Sequence, residues 1–438
     1  MTGFLKWAGI ALGVFSLFLT SVVIWGNAGS SLELTAQHVP PAQAAKADHA
    51  LSRPFSLSLI NPYLKWRTHD ETRAGYSMSA SHNGTVQYAL QHGVADLETR
   101  TPIDANTRFR IASMTKPITA TAAMILIERG IINLDDPVAD YIPAFATARV
   151  WNEEGEGAVP LDRPITIEHI LTFTAGIGSS GEGATPLDRL WAETMTPLSS
   201  AATLKDRANA IAALPLYNQP GEKWHYGLSL NIMARIIEVA SGQPYEDFLQ
   251  VEVFEPLGMA NTSFMPAPDA RDGIATLYTR GASGDLIIRN DPEFDIKGRV
   301  NGDGRLVSTL PDYMRFALML WNKGRYQGVQ LLSEDTVTAM TTPYVNQGVL
   351  AQFDIDGLGW GYGLAIVLDA DKTPMPDKNG DFFWSGVNGT HFWISPQDGT
   401  VFVYMTQYRA RPADGSPPRG AEIPFVVQAV VNGSLRSE

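Results

Sequence analysis

The chain has no cysteine among its 438 residues. Disulfides, a thiol nucleophile, a cysteine-held metal and a lipidated N-terminal cysteine are therefore excluded. Basic residues are also short. Lysine and arginine total 33 against 46 acidic residues, the net charge is −13, and there is no basic run. A nucleic-acid partner is not expected of such a chain. The eight histidines show no His-Glu-x-x-His spacing, so no metal site is expected. Charged residues make up 18% of the chain and apolar residues 45%, as in a globular protein with a sizeable core. The length fits one large two-lobed enzyme as well as two domains.

One long apolar run stands out. Trp7 to Trp25 is nineteen residues without a charge. As a helix it would span about 28 Å, close to a bilayer core. A tryptophan marks each end, and Lys6 is the only charge before it. Residues 1–26 are thus expected to be a signal anchor or a signal peptide, the anchor favoured by length. The bulk of the chain would then lie on the periplasmic, extracytoplasmic side, held to the membrane by an N-terminal helix. Residues 27–54, with Pro40-Pro41 and Ala-Gln-Ala-Ala-Lys-Ala, read as a linker. The folded domain is expected over 55–438.

Of the ten lysines, only Lys116 has a serine three residues before it. Ile118, Ala122, Ile125 and Leu126 follow at helical spacing, and Gly130 supplies a stop. If that helix begins at Ser113, Ser113 and Lys116 stand one turn apart on one face. A serine hydroxyl needs a nearby base to become a nucleophile, and a lysine in an apolar wall suits that task. Upstream, Gly75 to Ile103 alternates like strands around a His82-Asn83-Gly84 turn. Downstream, Val150 to Pro164 reads as an acidic loop, and Gly176 to Thr185 as a flexible rim. Pro220 to Tyr226 enters a helix at about Leu230 to Ser241. His169 reads as a structural residue of its helix, and Ser308 and Thr309 as a helix cap. Three strands are expected near the C-terminus, over Phe382–Val387, Gly389–Ile394 and Val401–Met405, with an amphipathic helix at about Ala421 to Val431.

Phe109 to Phe145, with its Ser-x-x-Lys, resembles the active-site helix of the serine β-lactamase and penicillin-binding-protein superfamily. The runs PYEDFLQVEVFEPLGMANTSF (244–264) and NGDGRLVSTLPDYMRFALMLWNKG (301–324) resemble the same family. The resemblance covers roughly residues 72–432. It implies an α+β fold, with a central antiparallel sheet built from both chain ends and an inserted, mainly helical lobe. It places Tyr226 where these enzymes keep a tyrosine beside the serine and lysine. A phenol of pKa about 10 is inert alone, but beside an ammonium it can relay a proton. The amides of Ser113 and Val387 fall where the family forms its oxyanion hole.

Two departures shape the functional expectation. Class C β-lactamases carry Tyr-x-Asn, but this chain has Tyr226-Gly227-Leu228. Their Lys-Thr-Gly strand is here Trp384-Ser385-Gly386, which offers an apolar wall and one N–H donor instead of a cation. The Tyr344-Val345-Asn346 and Lys372-Thr373 sequences are read as coincidences. His391, just past the strand, reads as structural. Gly302 and Gly304 are expected to line the pocket. The pattern resembles the β-lactamase-like carboxylesterases and implies an acyl-enzyme on Ser113, with Lys116 and Tyr226 as acid/base groups. Leu228, Trp384, Ser385 and Gly386 would bind a small-molecule ester, and no metal or organic cofactor is needed. Amide hydrolysis or acyl transfer by the same residues, and an inert membrane-tethered scaffold, remain the alternatives.

Overall fold

The structure, a computed structural model, describes residues 73–152, 157–179, 185–195, 198, 202–264, 271, 273–281, 283–289, 300–350, 355–373 and 377–409. The apolar run Trp7–Trp25, the expected linker 27–54 and the expected helix Ala421–Val431 lie outside the described residues. Among the described residues, no helix is long and apolar enough to cross a membrane.

A seven-stranded antiparallel sheet organises the domain. Its strands are β1 (Gly75–His82), β2 (Thr85–Gly93), β3 (Leu358–Trp360), β4 (Ala365–Val367), β5 (Phe382–Gly386), β6 (Thr390–Ser395) and β7 (Thr400–Thr406). Their spatial order is β3-β4-β5-β6-β7-β1-β2, so β7 of the C-terminal part zips onto β1 from Tyr76↔Thr406 to His82↔Thr400. The β1–β2 turn at Asn83-Gly84 takes φ of 48° and 77°, the left-handed pair that a tight hairpin requires. Alternation in β1 places Tyr76, Met78 and Ala80 on one face and Ser77, Ser79 and Ser81 on the other, and all six are buried. The serine face is therefore covered rather than wet. One consequence is that Ser79 Oγ must find an acceptor, which is the Tyr88 carbonyl at 3.1 Å.

Between β2 and β3 in the sequence come the helices that build the rest of the core. They include α1 (Thr115–Glu128), α2 (Ile167–Leu171), α3 (Pro186–Met195), α4 (Leu204–Ala213), α5 (Ser229–Ser241) and α6 (Leu310–Trp321). In α1, Thr115 through Leu126 are all buried, consistent with an apolar helix packed on every side. Helix α5 buries Leu230, Ile232, Met233, Ile236 and Ile237 and ends at Gly242, φ 70°. Each such side chain contributes about 1.5–3 kcal/mol by leaving water. Helix α6 is capped by Thr309, whose Oγ1 accepts from Asp312 N at 3.3 Å, as expected for that residue.

Two expectations need correction. Residues Val150 to Pro164 are not a plain loop, because Arg149–Trp151 pairs antiparallel with Ala158–Pro160. Of the expected flexible rim, residues 180–184 lie outside the described residues, and the two described glycines, Gly176 and Gly178, do packing work instead. A Cβ at Gly178 would strike Trp191 and Tyr217, and one at Gly176 would lie 2.5 Å from the Asn218 carbonyl oxygen. These glycines allow close approach of neighbouring chain rather than motion.

Candidate active site

The turn that presents Ser113 is held from several sides. Phe109–Arg110 pairs with Val307–Ser308, and Ile111 N donates to Leu306 O at 3.0 Å. Ala112 then adopts φ 47°, a left-handed conformation that costs a residue with a Cβ about 1–2 kcal/mol. Surrounding bonds fix it. Thr390 Oγ1 donates to Ile111 O at 3.1 Å, and Tyr313 hydroxyl donates to Met114 O at 2.9 Å. Ser113 sits in a single 3₁₀ turn, Ala112–Met114, and α1 begins two residues later, at Thr115. The helix therefore does not start at the serine, yet the serine and lysine still face each other.

Lys116 is 3% exposed. Its Nζ donates to Ser113 Oγ at 3.1 Å and to the Asp303 carbonyl at 2.7 Å. It also lies 4.8 Å from the centroid of the Tyr226 ring. A buried amine needs such partners. The Asp303 carbonyl is itself held in place by its neighbours: Asp303 N donates to Asn301 Oδ1 at 2.8 Å, and Gly302 N donates to Asn231 Oδ1 at 3.0 Å. Thr119 Oγ1 donates to Gly302 O at 2.6 Å. Gly302 does not line the pocket as expected. It packs against α5, where a Cβ would collide with the Leu230 carbonyl. Gly304 is nearer the expected place, since a Cβ added there would lie 3.9 Å from Ala112.

Tyr226 is positioned by the backbone on both sides. His225 N donates to Phe173 O at 2.8 Å and Leu228 N to Gly178 O at 2.9 Å. A Cβ at Gly227 would collide with the backbone of Ile177 and Gly178, so only glycine lets the segment lie so close. Aromatic rings then surround the phenol, with centroids of Phe173 at 5.4 Å, Trp224 at 5.7 Å and Trp384 at 5.4 Å. Trp360 meets Trp384 edge-on at 4.6 Å and donates Nε1 to Leu171 O at 3.2 Å. Leu228 is half-buried at the entry to α5 and packs against the core.

Strand β5 supplies the opposite wall. Trp384 and Gly386 share one face, and Gly386 lies so close to the serine turn that a Cβ would collide with the Ile111 carbonyl. The amides of Ser113 and Val387 thus come from adjoining segments, and Val387 is half exposed. Ser385 points to the other face of the strand. Its Oγ is 2.8 Å from Nδ1 of the buried His391, directly across on β6. The expected Trp-Ser-Gly triplet thus alternates: Trp384 and Gly386 are buried on one face of the strand, and Ser385 is exposed on the other.

Several expected bystanders behave as such. His169 closes a capping box on α2, its Nδ1 accepting from Thr166 N at 3.1 Å, and burial holds its pKa below the usual value. Lys372 pairs with Asp369 at 2.7 Å on an exposed turn. Tyr344 is half exposed and stacks on Tyr362 at 4.4 Å. Among the described residues, no group of three His, Cys, Asp or Glu could hold a metal ion. Sequence reasoning missed Phe173, Trp224 and Trp360 as parts of the wall, and Asp303 as the second acceptor of Lys116. Of these, only Trp224, two residues from Tyr226, carries a local signal.

Comparisons with known proteins bear on this geometry. The beta-lactamase family matches residues 59–422. A protein of Mycobacterium tuberculosis is 31% identical over 333 residues, covering 72% of this chain and 81% of that one. Esterase EstB of Burkholderia gladioli is 30% identical over 348 residues, covering 74% of this chain and 84% of that one. Among solved structures, EstCE1, described as a hydrolase with promiscuous acyltransferase activity, superimposes with a TM-score of 0.73 at 25% identity. It covers 86% of this chain and 98% of that one. An α+β sheet-and-helix fold, a Ser-x-x-Lys pair in hydrogen-bonding distance and a family match over most of the length converge: the chain belongs to the beta-lactamase family of serine hydrolases.

Proposed function

We propose that the protein hydrolyses carboxylic esters of small molecules through an acyl-enzyme on Ser113. The observation that carries this is the 3.1 Å contact between Lys116 Nζ and Ser113 Oγ, in a site whose strand wall offers Trp384 in place of a cation. Ser113 Oγ attacks the ester carbonyl, and its proton passes to the Lys116–Tyr226 pair as the O–C bond forms. The amides of Ser113 and Val387 would hold the resulting oxyanion. The same pair returns the proton to the departing alkoxide, releasing the alcohol and leaving the acyl group on Ser113. Water then attacks, giving up its proton to the pair, and the acid departs with Ser113 re-protonated. Trp384 and Tyr226, backed by the fully buried Trp360, make this wall apolar and aromatic, which suits an uncharged ester better than a carboxylate-bearing β-lactam or peptide.

The promiscuous acyltransferase activity of EstCE1 favours one second reading, in which an alcohol or amine replaces water as acyl acceptor. We further propose that Trp7–Trp25 places the domain on the extracytoplasmic side of a membrane. Recovery of the intact protein from the cytosolic fraction would contradict that placement. The test of the main proposal is hydrolysis of a short-chain p-nitrophenyl ester by the full chain beside Ser113→Ala. Activity should fall by about 10³ or more in the variant, whereas equal activity in both would remove Ser113 from the mechanism.

A further inference from the structure

Trp224 and Trp384 pack against Tyr226 with Trp360 behind them, and the three indole N–H groups differ. Trp360 donates its Nε1 to a backbone carbonyl, which makes it a structural strut. The Nε1 atoms of Trp224 and Trp384 are buried and have no hydrogen-bond partner among the described residues. Trp384 as a whole is 6% exposed. Burying a donor without an acceptor is unfavourable, because its bond to water is lost and not replaced. Such a group in a folded chain calls for an explanation.

Trp384 is the one of the two tied to the nucleophile through contacts on both sides. It shares a strand face with Gly386, which abuts the carbonyl two residues before Ser113. Its ring touches Tyr226, whose ring in turn faces Lys116 Nζ. The surroundings are aromatic, and Lys116 already donates to Ser113 and to Asp303. A carboxylate here would lose its hydration without gaining a free counter-charge. A neutral oxygen, as in an ether, ketone or hydroxyl, matches a single N–H donor in an apolar wall.

We propose that Trp384 is a specificity-determining residue whose Nε1–H donates to a neutral oxygen of the substrate near the scissile carbonyl. The preferred substrates are then esters whose acyl or alkoxy part carries such an oxygen, rather than plain alkyl esters. This rests on the ester-hydrolase reading of the site.

The test uses two pairs of esters matched in shape. On the acyl side, p-nitrophenyl 3-methoxypropanoate is compared with p-nitrophenyl pentanoate. On the alkoxy side, 2-methoxyethyl acetate is compared with butyl acetate. Each kcat/KM is divided by the alkaline hydrolysis rate of the same ester, which removes the inductive effect of the ether oxygen. The wild type should favour the oxygenated member of at least one pair by about tenfold, as one buried hydrogen bond allows. Trp384→Phe, which keeps an aromatic ring and deletes the N–H, should bring that ratio close to one. Should this variant fail to fold, Trp384→Leu takes its place. A wild-type ratio near one in both pairs, or a preference that survives loss of the indole, overturns the proposal. Absence of Ser113-dependent turnover of all four esters is a different result and overturns the ester reading itself.

Discussion

The two walls of the cleft are built on opposite principles. On the serine wall the buried amine has protein partners: Lys116 donates to Ser113 and Asp303, and the Asp303 segment is tied to Asn301, Asn231 and Thr119. On the strand wall the side chains are rings, and the buried donor of Trp384 has no partner among the described residues. Under the proposed mechanism the difference separates reaction from recognition: fixed hydrogen bonds would preorganise proton transfer, and an apolar surface that can change without disturbing them would set substrate choice.

The strongest way to break this division is to remove the amine. Lys116→Ala should lower kcat by about 10³, within the range for loss of a general acid–base group. The fold should persist in circular dichroism. Retention of more than a tenth of wild-type kcat would move the proton-transfer role elsewhere. Tyr226→Phe keeps the ring packed against Phe173, Trp224 and Trp384 and removes only the hydroxyl. Its kcat should fall by about 10² with little change in melting temperature. A Tyr226→Phe enzyme of normal kcat would reduce the tyrosine to a member of the wall.

How much of this is legible in the sequence divides along the same line. The strands around His82-Asn83-Gly84, the helix after Lys116 and the strand triplet at 384–386 each carry a local pattern or motif, and they stand where expected. The aromatic wall has no such pattern. Phe173 and Trp360 are far apart in the chain, and each looks like an ordinary core ring until the fold brings their centroids to 5.2 Å and sets Trp360 4.6 Å from Trp384. The Asp303 carbonyl is invisible for another reason: a backbone oxygen leaves no mark in residue identity. Gly176 and Gly178 mislead because glycine signals both freedom and close packing, and only the neighbours decide which. That Ser385 is exposed between the buried Trp384 and Gly386 is not read from the motif, because a motif match ignores the alternation of strand faces.

The junction between the two walls offers a finer probe. Gly386→Ala puts a methyl where the Ile111 carbonyl stands, so the serine turn and β5 must part. We expect kcat/KM to drop by about 10–10², since small displacements of a nucleophile are costly. The same substitution at Gly130, where nothing lies within 4 Å of the added methyl, should leave kcat unchanged and cost only the strain of its φ of 66°.

The smallest effect belongs to a histidine outside the division. His169→Gln should leave kcat within twofold and cost about 1 kcal/mol of stability through the weakened α2 cap. Burial holds the His169 pKa below its usual 6.5, so the unfolded chain takes up the proton more readily. Stability is then full above about pH 6.5 and is lost as pH falls through the folded value. Melting curves at pH 7.5 and 5.5 should show a larger drop in the wild type than in the variant. Equal drops would assign the pH dependence to other groups, such as His225, whose pKa burial also lowers.

A covalent acyl group at Ser113 is the claim on which everything else rests. Rapid acid quenching of the full-length protein during turnover of p-nitrophenyl pentanoate, followed by peptide mass spectrometry, tests this directly. The expected result is a pentanoyl adduct on the peptide bearing Ser113, absent from Ser113→Ala. Ester turnover with an adduct on another residue, or turnover equally fast in Ser113→Ala, would contradict it.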